Sequence, residues 1–386
     1  MNANTEHTAF HGVLPPLTCD TLPAGIRSRY VNVNGLRMHF LEAGYETPNR
    51  PCILLLHGFP ELAYSWRKNM LPLASHGFHV IAPDQRGYGR TTGWADGYDI
   101  DLTAFGILNL VCDIVELVTA LGYRQVQAIV GHDSGVQVAA TAALIRPDLF
   151  RSLVLMSAPY PGPPMRKLGA EQEIAAFQED PIHRALGELP RPRKHYQLYY
   201  STRQADHDLC SAPQGLHRFL RAYKSADWNG NAPVPLRAWT AEEAAKMPTY
   251  YIMDRDMDMP ASVAPFMPDE EHVRTCVWLT ERELQVYTDE YRRTGFQGGL
   301  NWYRCGTNGL NSRELALFSG RSIDVPTWFV AGCADWCPYQ LPGALDAMAQ
   351  RICSDFRGCY FIPGAGHWVQ QEQPEQTNTL LMRFIG

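Results

Sequence analysis

One pentapeptide constrains this chain more than any other stretch: Gly131-His132-Asp133-Ser134-Gly135. Before it, residues 126–130 (VQAIV) form a continuous apolar run of strand length. After it, residues 136–145 are rich in alanine and read as a helix. A strand that becomes a helix over so few residues must take its backbone through a sharp, strained corner, which lifts one side chain above the end of the sheet. Glycines two before and two after the corner let strand and helix close up where a Cβ would collide. The spacing centres the corner on Asp133. Centring it on Ser134 puts His132 and Val136 at the crowded positions, which sterics disfavour. The plain alternative is a strand-end Asp that caps the next helix, a position Asp favours.

The surrounding pattern supplies the sheet. Residues 52–56 (CILLL), 78–82 (FHVIA) and 152–156 (SLVLM) are further apolar runs, the first two ended by His57-Gly58 and Pro83-Asp84. Parallel strands buried on both faces look like this. Residues 30–41 read as a hairpin with Asn34-Gly35 as the turn. Residues 102–121 carry helical periodicity. Strands alternating with helices call for an α/β architecture, a mostly parallel central sheet flanked by helices with right-handed crossovers.

That alternation stops near residue 161 and resumes near 320. The pattern between is helical with proline-rich breaks, including a long irregular stretch at 228–269. Pure loops of that length are uncommon and usually functional. Sheet pattern returns at 327–331 (TWFVA) and 359–362, and a last helix covers 374–384, with a proline suited to its first turn. The expected organisation is an N-terminal arm at 1–28, a core at 29–160 and 320–386, and an inserted helical cap at 161–319. Ligand is expected at the carboxyl ends of the strands, beneath the cap.

Composition excludes several classes. Apolar residues make up 45% of the 386 and charged residues 19%, enough for a core and too few charges for a disordered chain. Net charge is −6 without a Lys/Arg run, so no nucleic-acid partner is expected. No secretory signal, peroxisomal or retention signal, or membrane span is expected. Ten scattered cysteines suit free thiols in a reducing compartment, so the expected location is cytoplasmic. Cys333 and Cys337 have neither redox nor zinc-ribbon spacing and read as core. His76/His79 and His7/His11 have metal-like spacing but no third ligand in view, and no metal or cofactor is expected. Gly87-Tyr88-Gly89-Arg90-Thr91-Thr92-Gly93 suggests a nucleotide loop, but its third glycine falls one residue late and no P-loop lysine is present. It reads as a turn.

A carboxylate in the nucleophile position selects the chemistry. It displaces a leaving group at an alkyl carbon and forms an alkyl ester, but suits attack on amides or ordinary esters poorly. Hydrolysis of that ester needs a base and an acid to orient it. His367 follows the last strand pattern, and Asp335 lies just past TWFVA. Three such residues at strand carboxyl ends, in the order nucleophile, acid, histidine, are a coherent set. Backbone N–H groups of Phe59, after the strand CILLL, and of Ser134 are the expected oxyanion donors. His57 and His132 read as structural hydrogen-bonders.

These residues resemble the soluble-type epoxide hydrolases of the α/β-hydrolase fold, from about residue 30 to the C-terminus. The resemblance rests on His57-Gly58-Phe59-Pro60-Glu61, Asp84-Gln85-Arg86-Gly87-Tyr88-Gly89 and Gly131-His132-Asp133. In the cap it rests on Tyr196-Gln197-Leu198-Tyr199-Tyr200 and Leu300-Asn301-Trp302-Tyr303-Arg304, which are more specific. It implies that Tyr196 and Tyr303 hydrogen-bond the oxygen of a small-molecule epoxide, which reacts with water in a monomer or homodimer. Two phenols aimed at one oxygen can supply the proton that an opening epoxide needs. The plain reading of Tyr196, Tyr199 and Tyr200 is a packed stripe on one helical face. One departure stands out: the family commonly has Trp after the nucleophile, and here Ser134 follows. That opposes a haloalkane dehalogenase, in which a Trp there helps hold halide. A ligand-binding protein on the same scaffold is the third reading, opposed by the complete catalytic set.

Overall fold

The computed structural model describes residues 14, 17, 21–165, 181–227 and 233–386. Most of the expected arm, with His7 and His11, lies outside the described residues, as do 166–180 and 228–232 of the expected cap.

An eight-stranded sheet forms the centre, in the order β1-β2-β4-β3-β5-β6-β9-β10. The strands are β1 (Ile26–Val33), β2 (Leu36–Ala43), β3 (Cys52–Leu56), β4 (His79–Pro83), β5 (Ala128–His132), β6 (Leu153–Met156), β9 (Thr327–Gly332) and β10 (Phe356–Ile362). Strand β2 pairs antiparallel with β1 and β4, and the remaining neighbours are parallel. The apolar run CILLL is β3, buried at every position. The Asn34-Gly35 turn has φ of 44° and 74°, positive at both positions as a tight hairpin with right-twisted strands demands. The expected strands at 78–82 and 126–130 sit one and two residues later, because the apolar run runs on into the polar residues at each strand's carboxyl end.

The expected helix at 102–121 is two elements. A 3-10 turn at Leu102–Phe105 precedes α2 (Ile107–Ala120), with Gly106 extended between them. A Cβ on Gly106 would stand 2.3 Å from Glu314 Oε1. The freed N–H groups of Ile107 and Leu108 donate to Asn311 Oδ1 and Glu314 Oε2 at 3.1 and 2.9 Å. The inserted segment therefore caps a core helix, a long-range effect that periodicity cannot show.

Between β6 and β9 no described residue joins the main sheet. This segment forms helices, among them Tyr196–Tyr200, Leu216–Ser225, Glu281–Thr294 and Gln297–Thr307, and a small ribbon of β7 (Arg193–His195) with β8 (Ile252–Asp254). The expected irregular stretch is partly ordered, since it contains β8 and the short helices Ala241–Ala244 and Met259–Val263. The insertion is fastened to the core by buried polar contacts. Lys224 Nζ donates to Glu61 Oε1 at 3.0 Å, Arg67 pairs with Glu283 at 2.8 Å, and the Trp302 indole donates to the Arg86 carbonyl at 3.0 Å. The glycine-rich turn serves the same joint: a Cβ on Gly87 would sit 2.6 Å from the Gly298 carbonyl. His76 and His79 hydrogen-bond locally, to the Pro72 carbonyl and to Glu42 and Tyr123. No helix among the described residues is long and apolar enough to cross a membrane.

Candidate active site

The corner after β5 is as tight as its sequence requires. Asp133 has φ of 52°, a region L-residues rarely occupy. A Cβ on Gly131 would meet the Gly135 carbonyl oxygen at 2.5 Å, and one on Gly135 would meet the His57 carbonyl oxygen at 2.5 Å. No other residue fits either place without moving backbone. Asp133 leads into α3 (Gly135–Ile145), with Ser134 at the helix N-cap and its Oγ buried without a partner among the described residues. The reading that Asp133 merely caps a helix fails, because its carboxylate faces elsewhere. Asp133 Oδ1 accepts the Phe59 N–H at 2.8 Å, and Oδ2 lies 3.4 Å from His367 Nε2. Burial pushes this carboxyl up, but His367, His132 and the Phe59 N–H outweigh it and hold it below its ordinary value. The Phe59 N–H thus points at the Asp133 carboxylate. The Ser134 N–H begins α3, where a helix leaves donors free.

His367 is held on several sides. Its Nδ1 lies 3.1 Å from Asp335 Oδ1, which also accepts the Cys337 N–H at 2.9 Å. Its carbonyl accepts from His132 Nε2 at 2.8 Å and from Ser157 Oγ at 2.9 Å. Glu372 accepts the N–H groups on either side of it, Gly366 at 2.8 Å and Trp368 at 2.9 Å. Burial alone would lower the His367 pKa, but the Asp335 and Asp133 carboxylates hold it well above its ordinary value. Both directions favour the charged forms, an imidazolium beside the Asp133 carboxylate. His57 is structural: Gln85 N–H donates to its Nε2 at 3.1 Å, and its Nδ1 lies 2.9 Å from the Gly58 carbonyl.

Tyr196 and Tyr303 come from separate helices and meet with ring centroids 5.9 Å apart. The tyrosine stripe is resolved by its hydroxyls. Tyr199 donates to Asp208 at 2.9 Å and Tyr200 to Tyr223 at 3.2 Å, whereas the Tyr196 hydroxyl, among the described residues, accepts only from Gln197, at 3.3 Å. Tyr199 and Tyr200 are therefore engaged in packing contacts. Burial holds the Tyr196 and Tyr303 phenols well above their ordinary pKa, so both stay protonated. A cavity of about 770 Å³ reaches Asp133, Ser134, Tyr196 and Tyr303, with walls that include Phe105, Trp239, Trp302 and Leu341. That size suits a ligand of drug-like bulk.

Sequence reasoning missed other residues here. Asp227 lies two residues past the helix Leu216–Ser225 and beside Asp335 and His367, with the Tyr250 hydroxyl donating to its Oδ1. No local motif marks it; only the fold brings it in. Glu61 was visible in His57-Gly58-Phe59-Pro60-Glu61 but had no role. It is buried and accepts from Lys224, Gln370 and Gln371 at 3.0, 3.1 and 2.7 Å.

A family model for the α/β-hydrolase fold matches residues 51–180. Epoxide hydrolase A of Mycobacterium tuberculosis is 34% identical over 358 residues, covering 92% of this chain and 96% of the relative. The chain belongs to the epoxide hydrolases of the α/β-hydrolase fold. Epoxide hydrolase 3 of Siraitia grosvenorii is 30% identical, covering 92% of this chain and 96% of the relative. An epoxide hydrolase from an endophytic Streptomyces superposes with a TM-score of 0.74 at 29% identity, covering 94% of this chain and 96% of that one. Family membership fits the inserted helical segment as a cap, since the match extends through it.

Proposed function

We propose that this chain opens epoxides to vicinal diols through a covalent ester on Asp133. The observation that carries the proposal is the carboxylate at the elbow, faced by His367 at 3.4 Å, with the Tyr196 and Tyr303 phenols lining the same cavity. The residues divide the work. Asp133 Oδ1 is held by the Phe59 N–H, so Oδ2 attacks an epoxide carbon. The C–O bond breaks, and Tyr196 and Tyr303 share protonation of the alkoxide. A tyrosinate left behind recovers its proton from His367. Esterification also removes one of the two charges that hold that proton, so the imidazole becomes a base.

Water then gives a proton to His367, oriented by Asp335, and attacks Cγ. The tetrahedral oxyanion forms on Oδ1, against the N–H groups of Phe59 and Ser134. Collapse expels the diol oxygen, which takes the proton back from His367, and the Asp133 carboxylic acid left behind passes its own proton to His367, restoring carboxylate and imidazolium. Epoxide plus water equals diol, and no cofactor enters the balance.

Residues 29–160 and 320–386 are read as the core and 161–319 as the cap, in keeping with where strands leave and rejoin the sheet. All nine described cysteines are free, which supports a reducing cytoplasmic setting. Dehalogenation by the same nucleophile is disfavoured by Ser134 and by the phenols. The test is a single turnover in ¹⁸O-water with enzyme in excess. The first diol should carry unlabelled oxygen taken from Asp133; label in that diol means that water attacks the epoxide directly.

A further inference from the structure

Asp133, Tyr196 and Tyr303 line two spaces and not one. On one side is the cavity of about 770 Å³. On the other is a chamber of about 30 Å³, which adds His367, Asp227 and three more tyrosines, Tyr223, Tyr250 and Tyr251, to its wall. A water needs roughly 10–15 Å³ of such space and two to four polar partners. The chamber therefore has room for one or two waters, and none for a substrate of any bulk.

Asp227 is the carboxylate free to hold that water. One of its oxygens, one of Asp335 and one nitrogen of His367 lie within 4.8 Å of one another. Tyr250 donates to its Oδ1, and its Oδ2 makes no hydrogen bond to a described residue. Asp335 Oδ2 also lacks a partner among the described residues, but Asp335 does not line the chamber and Asp227 does. The other buried carboxylates nearby are engaged. Glu372 binds the Gly366 and Trp368 N–H groups, and Glu61 binds Lys224 and two glutamines. Asp227 is packed against the His367 loop, since a Cβ on Gly366 would stand 3.0 Å from its own Cβ.

We propose that this chamber is the station of the hydrolytic water and that Asp227, carried in by the cap, is the positioning residue that orients it toward the Asp133 ester. Water that donates one hydrogen to His367 and the other to Asp227 keeps a lone pair for Cγ. His367 takes the proton, and Asp227 only accepts a hydrogen bond. The inference rests on the ester mechanism above. Burial and the Asp335 carboxylate push the Asp227 pKa to about 7, against the pull of His367 and the Tyr250 hydroxyl, with Glu372 adding further repulsion. Ionised Asp227, the better acceptor, therefore prevails only above that pH.

The experiment is rapid-quench kinetics with an epoxide that the wild type turns over, following the ester by the mass of the intact enzyme. In Asp227→Asn, ester formation should stay within about threefold of wild type while its hydrolysis slows roughly 10–100-fold. In the steady state kcat and KM then fall together and kcat/KM holds. The acid limb of the hydrolytic step near pH 7 should also vanish. Tyr250→Phe, which leaves Asp227 in place but loosens it, should slow the same step by less. Equal slowing of both steps in either folded variant, or unchanged hydrolysis in Asp227→Asn, overturns the assignment. If the wild type forms no ester with any epoxide, the ester mechanism itself has failed, and not the role of Asp227.

Discussion

The core half and the cap half of this site are built by different means. From the core, Asp133, Asp335 and His367 each stand at or just past the carboxyl end of a parallel strand, and backbone groups pin them. The Phe59 N–H holds Asp133, the Cys337 N–H holds Asp335, and the His367 backbone is tied by His132, Ser157 and Glu372. From the cap, Tyr196 sits on a five-residue helix, stacked on His195 and edge-on to Tyr200 and Tyr251. Tyr303 packs edge-on to Phe59, with ring centroids 5.4 Å apart. Charge is placed by directional bonds to a rigid sheet, and the two phenols are placed by ring packing. A nucleophile and base in the roles proposed for Asp133 and His367 need a fixed distance and angle. A phenol that follows a moving oxygen gains from freedom at its tip.

The largest effects should come from breaking the core half, and the two breaks should differ in kind. Asp133→Asn should lower turnover by about 10⁴-fold or more and leave no covalent adduct. His367→Gln should slow turnover by roughly 10²–10⁴-fold yet accumulate enzyme heavier by one epoxide. Intact-protein mass spectrometry separates the two, and a His367→Gln enzyme that stays unmodified means that the imidazole is needed before the ester forms.

Breaking the cap half should cost less. Either Tyr196→Phe or Tyr303→Phe alone should slow ester formation by about 10²-fold, because the other phenol still donates. The double variant should lose far more than either. Ester hydrolysis, followed by rapid quench, should hardly change. Single-variant losses as large as the double would mean that one phenol does the whole task.

The contrast also explains what the sequence made legible. The core half was readable because short-range rules fix it. The glycines of Gly131-x-Asp133-x-Gly135 are demanded by contacts under 3 Å, and the residues proposed as catalytic follow the ends of apolar runs. The cap half was readable only where the motifs around Tyr196 and Tyr303 resembled a family. The resemblance pointed to Tyr196 over Tyr199 and Tyr200, and the hydroxyl partners of those two, on other helices, give the physical reason. Asp227 and Lys224 were invisible because an Asp just past a helix and a helical Lys read as surface residues. Burial of Lys224 depends on Glu61, 163 positions away. The split of 102–121 at Gly106 failed for the same reason, since Asn311 and Glu314 supply the cap.

The joint between the halves can be broken without touching the chemistry. Lys224→Met leaves Glu61 buried without its cation and should cost about 3–5 kcal/mol of stability. Lys224→Met with Glu61→Leu should recover most of it in thermal unfolding, because two apolar groups replace a desolvated pair. The acid limb of stability carries the sign. Burial raises the Glu61 carboxyl, but Lys224 and His132 pull it well below its ordinary value. Such a group contributes stability that is present above about pH 4 and lost as pH falls below it. The double variant should lose that part of the acid slope. An unchanged slope would mean that Glu61 is not ionised in the folded protein.

The smallest effect expected at the elbow itself comes from Ser134. Its backbone belongs to the core half and its side chain to the cavity wall. Ser134→Trp keeps the backbone N–H that faces the ester, a donor worth about 3–4 kcal/mol where such groups have been removed. It fills space beside Asp133 with a large ring. For a small epoxide, kcat should therefore change by less than about tenfold, since the oxyanion donor survives. For a bulky epoxide KM should rise, because the lost volume lies where the substrate must enter, and wild type should win that comparison. A collapse of kcat on the small epoxide would show that the Ser134 hydroxyl, buried without a partner among the described residues, takes part in the chemistry. An unchanged KM on the bulky one would show that substrates approach Asp133 from the other side of the cavity.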